Sequence, residues 1–188
     1  MTHYASMESP LGEIVLRADE HEQLSGVFLV GQRHFPALTQ PSEPVGASRS
    51  PVIRHAAEQL AAYFSGERFE FELPLAPPGT AFQQRVWQAL RAIPWGTVTA
   101  YGMLAEQLSL SPGHARAVGG AVGRNPLSII VPCHRVLAGS GRLGGYAGGL
   151  ERKRALLTLE GVGLPADTGV TRVQASEEEG ELLRSGTP

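Results

Sequence analysis

The sequence predicts an α+β protein: a small N-terminal antiparallel sheet with one helix, followed by a mostly helical second part. Three observations predict it. Residues 3–30 alternate apolar and polar in three short runs, punctuated by Gly12 and the polar cluster at 19–22, which is the pattern of a three-stranded meander. From Ser50 onward the apolar residues fall at helical spacing instead. After Ala76-Pro77-Pro78-Gly79 the helical period returns, with Phe82, Val86, Leu90 and Ile93 on one face and Leu104, Ala105 and Leu108 on another.

The elements follow in order. Residues 31–50 hold Pro36, Pro41, Pro44 and Gly46 and read as a loop. Ser50-Pro51 supplies an N-cap and a proline at the first helical position. Ile53, Ala56, Ala57, Leu60, Tyr63 and Phe64 then mark one helix face, and Gly66 ends the helix. Residues 68–75 alternate again and read as a further strand. The Ala-Pro-Pro-Gly run is the linker. We place an N-terminal domain at 1–75, a linker at 76–80, a second domain at 81–164 and a disordered tail at 165–188.

The second domain opens on Thr80-Ala81-Phe82-Gln83, a capping box, with Phe82, Val86, Leu90 and Ile93 on one face. Pro94-Trp95-Gly96 breaks the chain. Thr99 is expected to cap a short helix through Leu108, with residues 109–111 as a turn and Pro112 starting another helix to about Gly123. Two short helices joined by a tight turn read as a helix-turn-helix. The second of them, Ala115-Arg116-Ala117-Val118-Gly119-Gly120-Ala121-Val122-Gly123, is unusual. Each interior glycine costs about 1 kcal/mol relative to alanine. Either close packing or close approach to a partner must compensate, and Arg116 is the one long side chain on that helix.

Charge divides the chain in the same place. Residues 1–80 carry five Arg against ten acidic residues, a net of −5; residues 81–160 carry nine basic residues against three Glu, a net of +6; residues 161–188 carry −3. A basic middle segment fits a polyanion, and equally fits a merely solubilising surface. No stretch approaches the ~20 apolar residues of a membrane span, and the start of the chain has no basic-then-apolar leader. The single cysteine forms no internal disulfide, so a reducing compartment, the cytoplasm, is expected.

That cysteine is the centre of the chemical argument. The run Ile129-Ile130-Val131-Pro132-Cys133-His134-Arg135-Val136 sets it beside a histidine and an arginine, and cationic or hydrogen-bonding neighbours favour a nucleophilic thiolate. An inert buried cysteine is the alternative. Six glycines follow within residues 139–149, a loop suited to lying against a flat ligand. Neighbouring residues on a strand point to opposite faces. His134 therefore reaches the sulfur only if the chain turns there or a water relays the proton.

Val131-Pro132-Cys133-His134-Arg135-Val136 resembles the active-site motif of the O6-alkylguanine-DNA alkyltransferases. Phe82-Gln83-x-x-Val86-Trp87, Ile93-Pro94-x-Gly96, Ala115-Arg116-Ala117-Val118-Gly119, Asn125-Pro126, Gly144-x-Tyr146-x-Gly148-Gly149 and Leu156-Leu157-x-x-Glu160-Gly161 fall in that family's order and spacing. The likeness is strong over residues 80–162. It implies an RNase H-like first domain and a winged-helix-like, DNA-binding second domain.

The resemblance further implies DNA repair by direct reversal. An alkyl group would pass from O6-alkylguanine, and from O4-alkylthymine, irreversibly to Cys133 in a single turnover. His134 would be the base through a water, Glu160 would orient it, and Asn125 would brace the turn. Arg116 would fill the gap left by the flipped base, on a helix whose Ala115, Ala117, Gly119 and Gly120 enter a minor groove about 6 Å wide. Tyr101 would press on the 3′ phosphate and hydrogen-bond guanine N3. The carbonyls of Cys133 and Val136, with Tyr146, the N–H of Ala147, Val122 and Lys153, would form the substrate pocket. The partner would be double-stranded DNA, bound by a monomer that clusters along it.

No cofactor is implied. With one cysteine and no histidine pair at ligand spacing, no metal is expected. Many relatives have serine at Ala147. Rival classes are a lesion-binding relative without the cysteine, a Cys-His hydrolase, and a helix-turn-helix regulator reading the major groove.

Overall fold

The computed structural model describes residues 1–164, and the tail expected at 165–188 lies outside them. The chain forms two compact units, Met1–Thr80 with Asn125–Ile130, and Ala81–Arg124 with the chain from Val131 onward.

In the first unit the three alternating runs are strands β1 (His3–Met7), β2 (Ile14–Ala18) and β3 (Leu24–Leu29), paired antiparallel in sequence. A two-residue strand β4 (Glu43–Pro44) adds parallel to β1, giving the order β3-β2-β1-β4. The region read as plain loop thus contains that strand and a 3₁₀ turn at Val45–Ala47. Helix α1 (Pro51–Phe64) begins as expected, with the Ser50 hydroxyl accepting from the Ile53 N–H. Its face of Ile53, Leu60 and Tyr63 is fully buried, as are Ile14, Leu16, Leu24 and Leu29 on the sheet. This apolar contact is the main stabilising term, since each such side chain contributes about 1.5–3 kcal/mol on burial.

Residues 68–75 do not form the expected strand. Only Leu75 bridges, opposite Leu24, where the Leu24 N–H donates to Pro74 O (2.8 Å) and the Ala76 N–H to Leu24 O (2.9 Å). Pro74, Pro77 and Pro78 lack the N–H groups that a longer ladder needs. The rest of the exposed edge of β3 is closed by a distant piece of chain. Val27 N–H donates to Pro126 O (2.8 Å) and Ser128 N–H to Val27 O (3.2 Å). The sequence places 81–164 in one domain, but Asn125–Ile130 folds with the first unit, because it covers this edge.

The second unit is built on α2 (Ala81–Arg91), α3 (Tyr101–Gln107), α4 (Ala115–Gly123) and α5 (Leu150–Leu159). The indole N–H of Trp87 on α2 donates to Ala121 O on α4 (2.9 Å). Between α3 and α4 the chain turns at Ser109, whose φ is +60°, and passes through a 3₁₀ turn at Pro112–His114, so the helix expected from Pro112 becomes α-helical only at Ala115.

Thr99 is not the cap of α3. Thr99–Ala100 is strand β5, parallel to β6 (Val136–Leu137), and Ala100 precedes the helix without a side-chain cap. Pairing with Val136–Leu137 outcompetes the local cap and ties the start of α3 to the residues just after Cys133. Leu137, Leu143, Leu157 and Val162 form a core cluster, with Val98 and Leu164 against it.

Candidate active site

The chain reaches Cys133 through two very tight turns. Ile129 has φ +74° and is spanned by a bond from Ile130 N–H to Ser128 O (2.9 Å), the rare, strained form of γ-turn. Pro132, with φ −80° and ψ 64°, is spanned by a bond from Cys133 N–H to Val131 O (2.8 Å), the common inverse form. A β-branched residue at positive φ costs of order 1–3 kcal/mol and persists only where its surroundings enforce it. Asn125, in the first unit, bonds the backbone two residues before Ile129. Its Oδ1 accepts from the Leu127 N–H (2.9 Å) and its Nδ2 donates to Leu127 O (3.4 Å).

Cys133, His134 and Arg135 then form a 3₁₀ turn, all three buried. Of the two routes the sequence left open, the chain does turn at the cysteine. His134 is wholly enclosed, and its Nε2 lies 2.8 Å from Oε1 of Glu160, the residue that ends α5. Its Nδ1 is buried with no hydrogen-bond partner among the described residues.

Glu160 is held by more than the histidine. Arg135 Nε donates to Oε2 (2.9 Å) and Oε1 (3.2 Å), and its Nη2 to Oε1 (2.7 Å). Its Nη1 donates to Ile93 O (2.5 Å). Burial favours the neutral acid, but the His134 and Arg135 bonds and charges outweigh it and hold the carboxyl down to about 2. An ionised Glu160 makes Nε2 the protonated nitrogen of His134. For the imidazole itself desolvation is the largest influence and lowers its pKa; Glu160 pulls upward, and the charges of Arg135 and Lys153 push down again. The result is a neutral ring with a bare lone pair at Nδ1, the form of a general base.

Tyr101 is the first residue of α3 and lies within reach of the Cys133 charge. Burial and then the Cys133 charge raise its pKa, so it is a phenol at neutral pH. Its ring lies near Gly119 of α4 and Gly144 of the loop, each of which would carry a Cβ 3.6 Å from it. Lys153, on α5, is fully buried. Its ammonium donates to the carbonyls of Val136 (2.6 Å), Leu143 and Gly145 (3.2 Å). Val136 O, expected to face substrate, thus already accepts one bond, and Cys133 O accepts the Val136 N–H.

Arg116, Ala117 and Gly120 are exposed on α4, while Ala115 and Gly119 are half-buried and Val122 is buried. A Cβ on Gly120 would meet nothing within 4 Å, so internal packing does not require that glycine. Tyr146 and Ala147 are half-buried in the 139–149 loop. The structure therefore gathers Cys133, His134, Glu160, Tyr101 and Lys153, and sets Arg116 apart on the surface.

Arg135 is the residue that sequence reasoning missed. It stood inside the motif, but its clamp on a carboxylate 25 positions away has no local signature. Thr99 also brings onto β5 a buried hydroxyl without a partner among the described residues.

Comparison with known proteins agrees with this geometry. The family model for the 6-O-methylguanine DNA methyltransferase DNA-binding domain matches residues 81–162, and that for the ribonuclease-like domain of the same family matches residues 2–77. A methylated-DNA–protein-cysteine methyltransferase of Mycobacterium tuberculosis is 47% identical over 167 residues, covering 89% of this chain and 97% of that one. The constitutive enzyme of that name from Bacillus subtilis is 42% identical, covering 85% and 96%. Among solved structures, the M. tuberculosis protein in complex with DNA superposes with a TM-score of 0.75 at 46% identity, over 84% of this chain and 92% of that one. An O6-methylguanine DNA methyltransferase from Methanococcus jannaschii gives 0.60 at 27%, over 86% and 95%. On both domain matches and on relatives alike over nearly their whole length, the chain belongs to the methylated-DNA–protein-cysteine methyltransferase family.

Proposed function

We propose that this protein repairs DNA by moving an alkyl group from O6 of guanine, or O4 of thymine, onto Cys133, once per molecule. The observation that carries the reading is the buried 3₁₀ turn that holds Cys133 and His134 together, with Nε2 of the histidine bound to an ionised Glu160 and Nδ1 left as the basic atom.

The thiol proton passes through a water to Nδ1 of His134. Glu160, fixed by Arg135, steadies the imidazolium that results. The thiolate attacks the alkyl carbon, the S–C bond forms, and the C–O6 bond breaks with its electron pair going to the base. Tyr101 donates its proton to N3 and is reprotonated from the histidine, so the base gains one proton, the thiol loses one, and Tyr101 and His134 return to their starting forms. Val136, Tyr146, Ala147 and Val122 line the pocket, and Asn125 braces the turn before it. Having no second cysteine, the molecule cannot regenerate itself.

The substrate is double-stranded DNA, entered from the minor groove and without sequence preference. Stacked guanine shields O6 from in-line attack, so the base must be flipped out. Gly120, which packing does not explain, supports close approach of α4 to DNA, with Arg116 occupying the vacated stack. The residues from 81 to 164 carry this activity; the protein acts as a cytoplasmic monomer that clusters along DNA.

The deciding experiment is intact-mass measurement after incubation with a duplex bearing O6-methylguanine. One methyl, about 14 Da, should appear on Cys133 and no more. Sustained turnover beyond one equivalent, as a Cys-His hydrolase would give, overturns the reading.

A further inference from the structure

We infer that Gly96 is a positioning residue for the His134 base. The turn at 93–97, in which it sits, fixes Glu160 at both ends: at its backbone, through the side chain that Gly96 lacks, and at its carboxylate, through Arg135. The inference rests on the reading of His134 and Glu160 as a base and the group that orients it.

The turn grows out of the end of α2. Ile93 N–H donates to Leu90 O (3.1 Å), and Pro94 then stops the helix. Thr97 closes the turn on Pro94 O twice, with its N–H (3.3 Å) and its hydroxyl (2.9 Å). Gly96 has φ +75°, the conformation taken by the third residue of a type II turn.

A positive φ already favours glycine, but Gly96 meets a second demand. A Cβ there would lie 3.2 Å from Glu160 O, closer than side chains ordinarily come. That neighbour is backbone and cannot swing aside. It is itself tied down at the close of α5, where Glu160 N–H donates to Leu156 O (3.0 Å) and Val162 N–H to Leu157 O (2.9 Å). Gly66 gives the contrast: its φ is +77°, and a Cβ on it would meet nothing within 4 Å.

The same turn reaches the other end of Glu160. Arg135 Nη1 donates to Ile93 O, while its Nε and Nη2 hold the carboxylate that receives His134 Nε2. A methyl group at 96 would push the Glu160 backbone away while the guanidinium stays tied to Ile93. The bond to Nε2 would then lengthen, and the imidazole would lose part of the acceptor that favours proton uptake at Nδ1. The charged groups acting on that ring are Glu160 and Lys153 from α5 and Arg135 from its own turn; of these only Glu160 favours the protonated form.

Single-turnover reaction with the free base O6-benzylguanine tests this without DNA. Gly96→Ala should slow the plateau rate about tenfold, a large part of one charge-assisted hydrogen bond, and move the acid limb of the pH profile to lower pH. Gly66→Ala, with the same strain in open space, should react at the unsubstituted rate. A second background separates positioning from packing. In Glu160→Gln the carboxylate to be positioned is gone, so adding Gly96→Ala should change little. An unslowed Gly96→Ala overturns the inference, as does an undiminished tenfold loss on the Glu160→Gln background. Should Gly96→Ala fail to fold, Arg135→Lys tests the other arm. It keeps the charge, but one ammonium lacks the planar fork that spans Ile93 O and both carboxylate oxygens. It should slow the reaction as much, and only while Glu160 is present; a folded Arg135→Lys with the unsubstituted rate overturns the inference. Glu160→Gln that itself reacts at full rate would sink the reading of the base and the inference with it, whereas the other overturning outcomes leave that reading standing.

Discussion

Arg135 holds both carboxylate oxygens of Glu160, and one of those oxygens, Oε1, also receives His134. The carboxylate is thus shared by a permanent cation and by a base that must stay neutral until it acts. Arg135→Met should leave a buried carboxylate with the imidazole alone. Breaking a buried pair by removing one partner costs about 3–5 kcal/mol. Urea unfolding should show a loss of this order, partly recovered in Arg135→Met combined with Glu160→Gln. A loss within about 0.5 kcal/mol, as at ordinary surface sites, would show the clamp to be energetically idle.

Acid should unfold the protein in two stages. His134 is pushed below its ordinary 6.5, so the unfolded chain binds a proton first and stability falls as pH drops through 6.5. Glu160 is held down to about 2 against 4.5 when unfolded, so its contribution is complete above 4.5 and lost from there toward 2. Unfolding followed against pH should show both slopes. Glu160→Gln should flatten the lower one.

Gly120→Ala separates stability from function. The site is helical, exposed and open, so alanine should stabilise α4 by about 0.5–1 kcal/mol. Repair of a duplex should nevertheless slow, because the added methyl meets the groove. Thermal melts and single-turnover repair on the same preparation check both halves. Faster or equal repair would show that α4 does not approach DNA closely there.

Arg116→Ala should slow repair of a lesion in duplex DNA and barely affect reaction with the free base O6-benzylguanine. Flipping a base costs a few kcal/mol, and an inserted side chain recovers part of it. Cys133→Ala should abolish both reactions, and Glu160→Ala should slow both. An Arg116→Ala effect equal on the two substrates would assign the residue to the fold instead.

What the sequence made legible was what depends on local pattern. The strands β1 to β3 and helix α1 follow from alternation, helical spacing and the Ser50 cap. The site was legible where its residues lie in one motif, Cys133 and His134. What depends on distant chain was not. Thr99 had the residue type of a cap, yet it pairs with Val136 across 37 positions. Residues 68–75 alternate, yet the partners for a ladder are withheld by proline. Arg135 was visible as a neighbour of the cysteine, but its bond to Glu160 exists only after α5 docks.

The passage of Asn125–Ile130 into the first unit sets an order on synthesis. That unit's sheet keeps an open edge at Val27 until Pro126 and Ser128 leave the ribosome, about 50 residues after the rest of the unit has been made. At ordinary elongation rates this delay is roughly 3–10 s. Throughout it, an incomplete sheet is tethered to the growing Ala81–Arg124 segment. A chaperone that shields bare strand edges would act in this interval. Severing the chain at the 76–80 linker should leave neither half able to fold as it does in the whole.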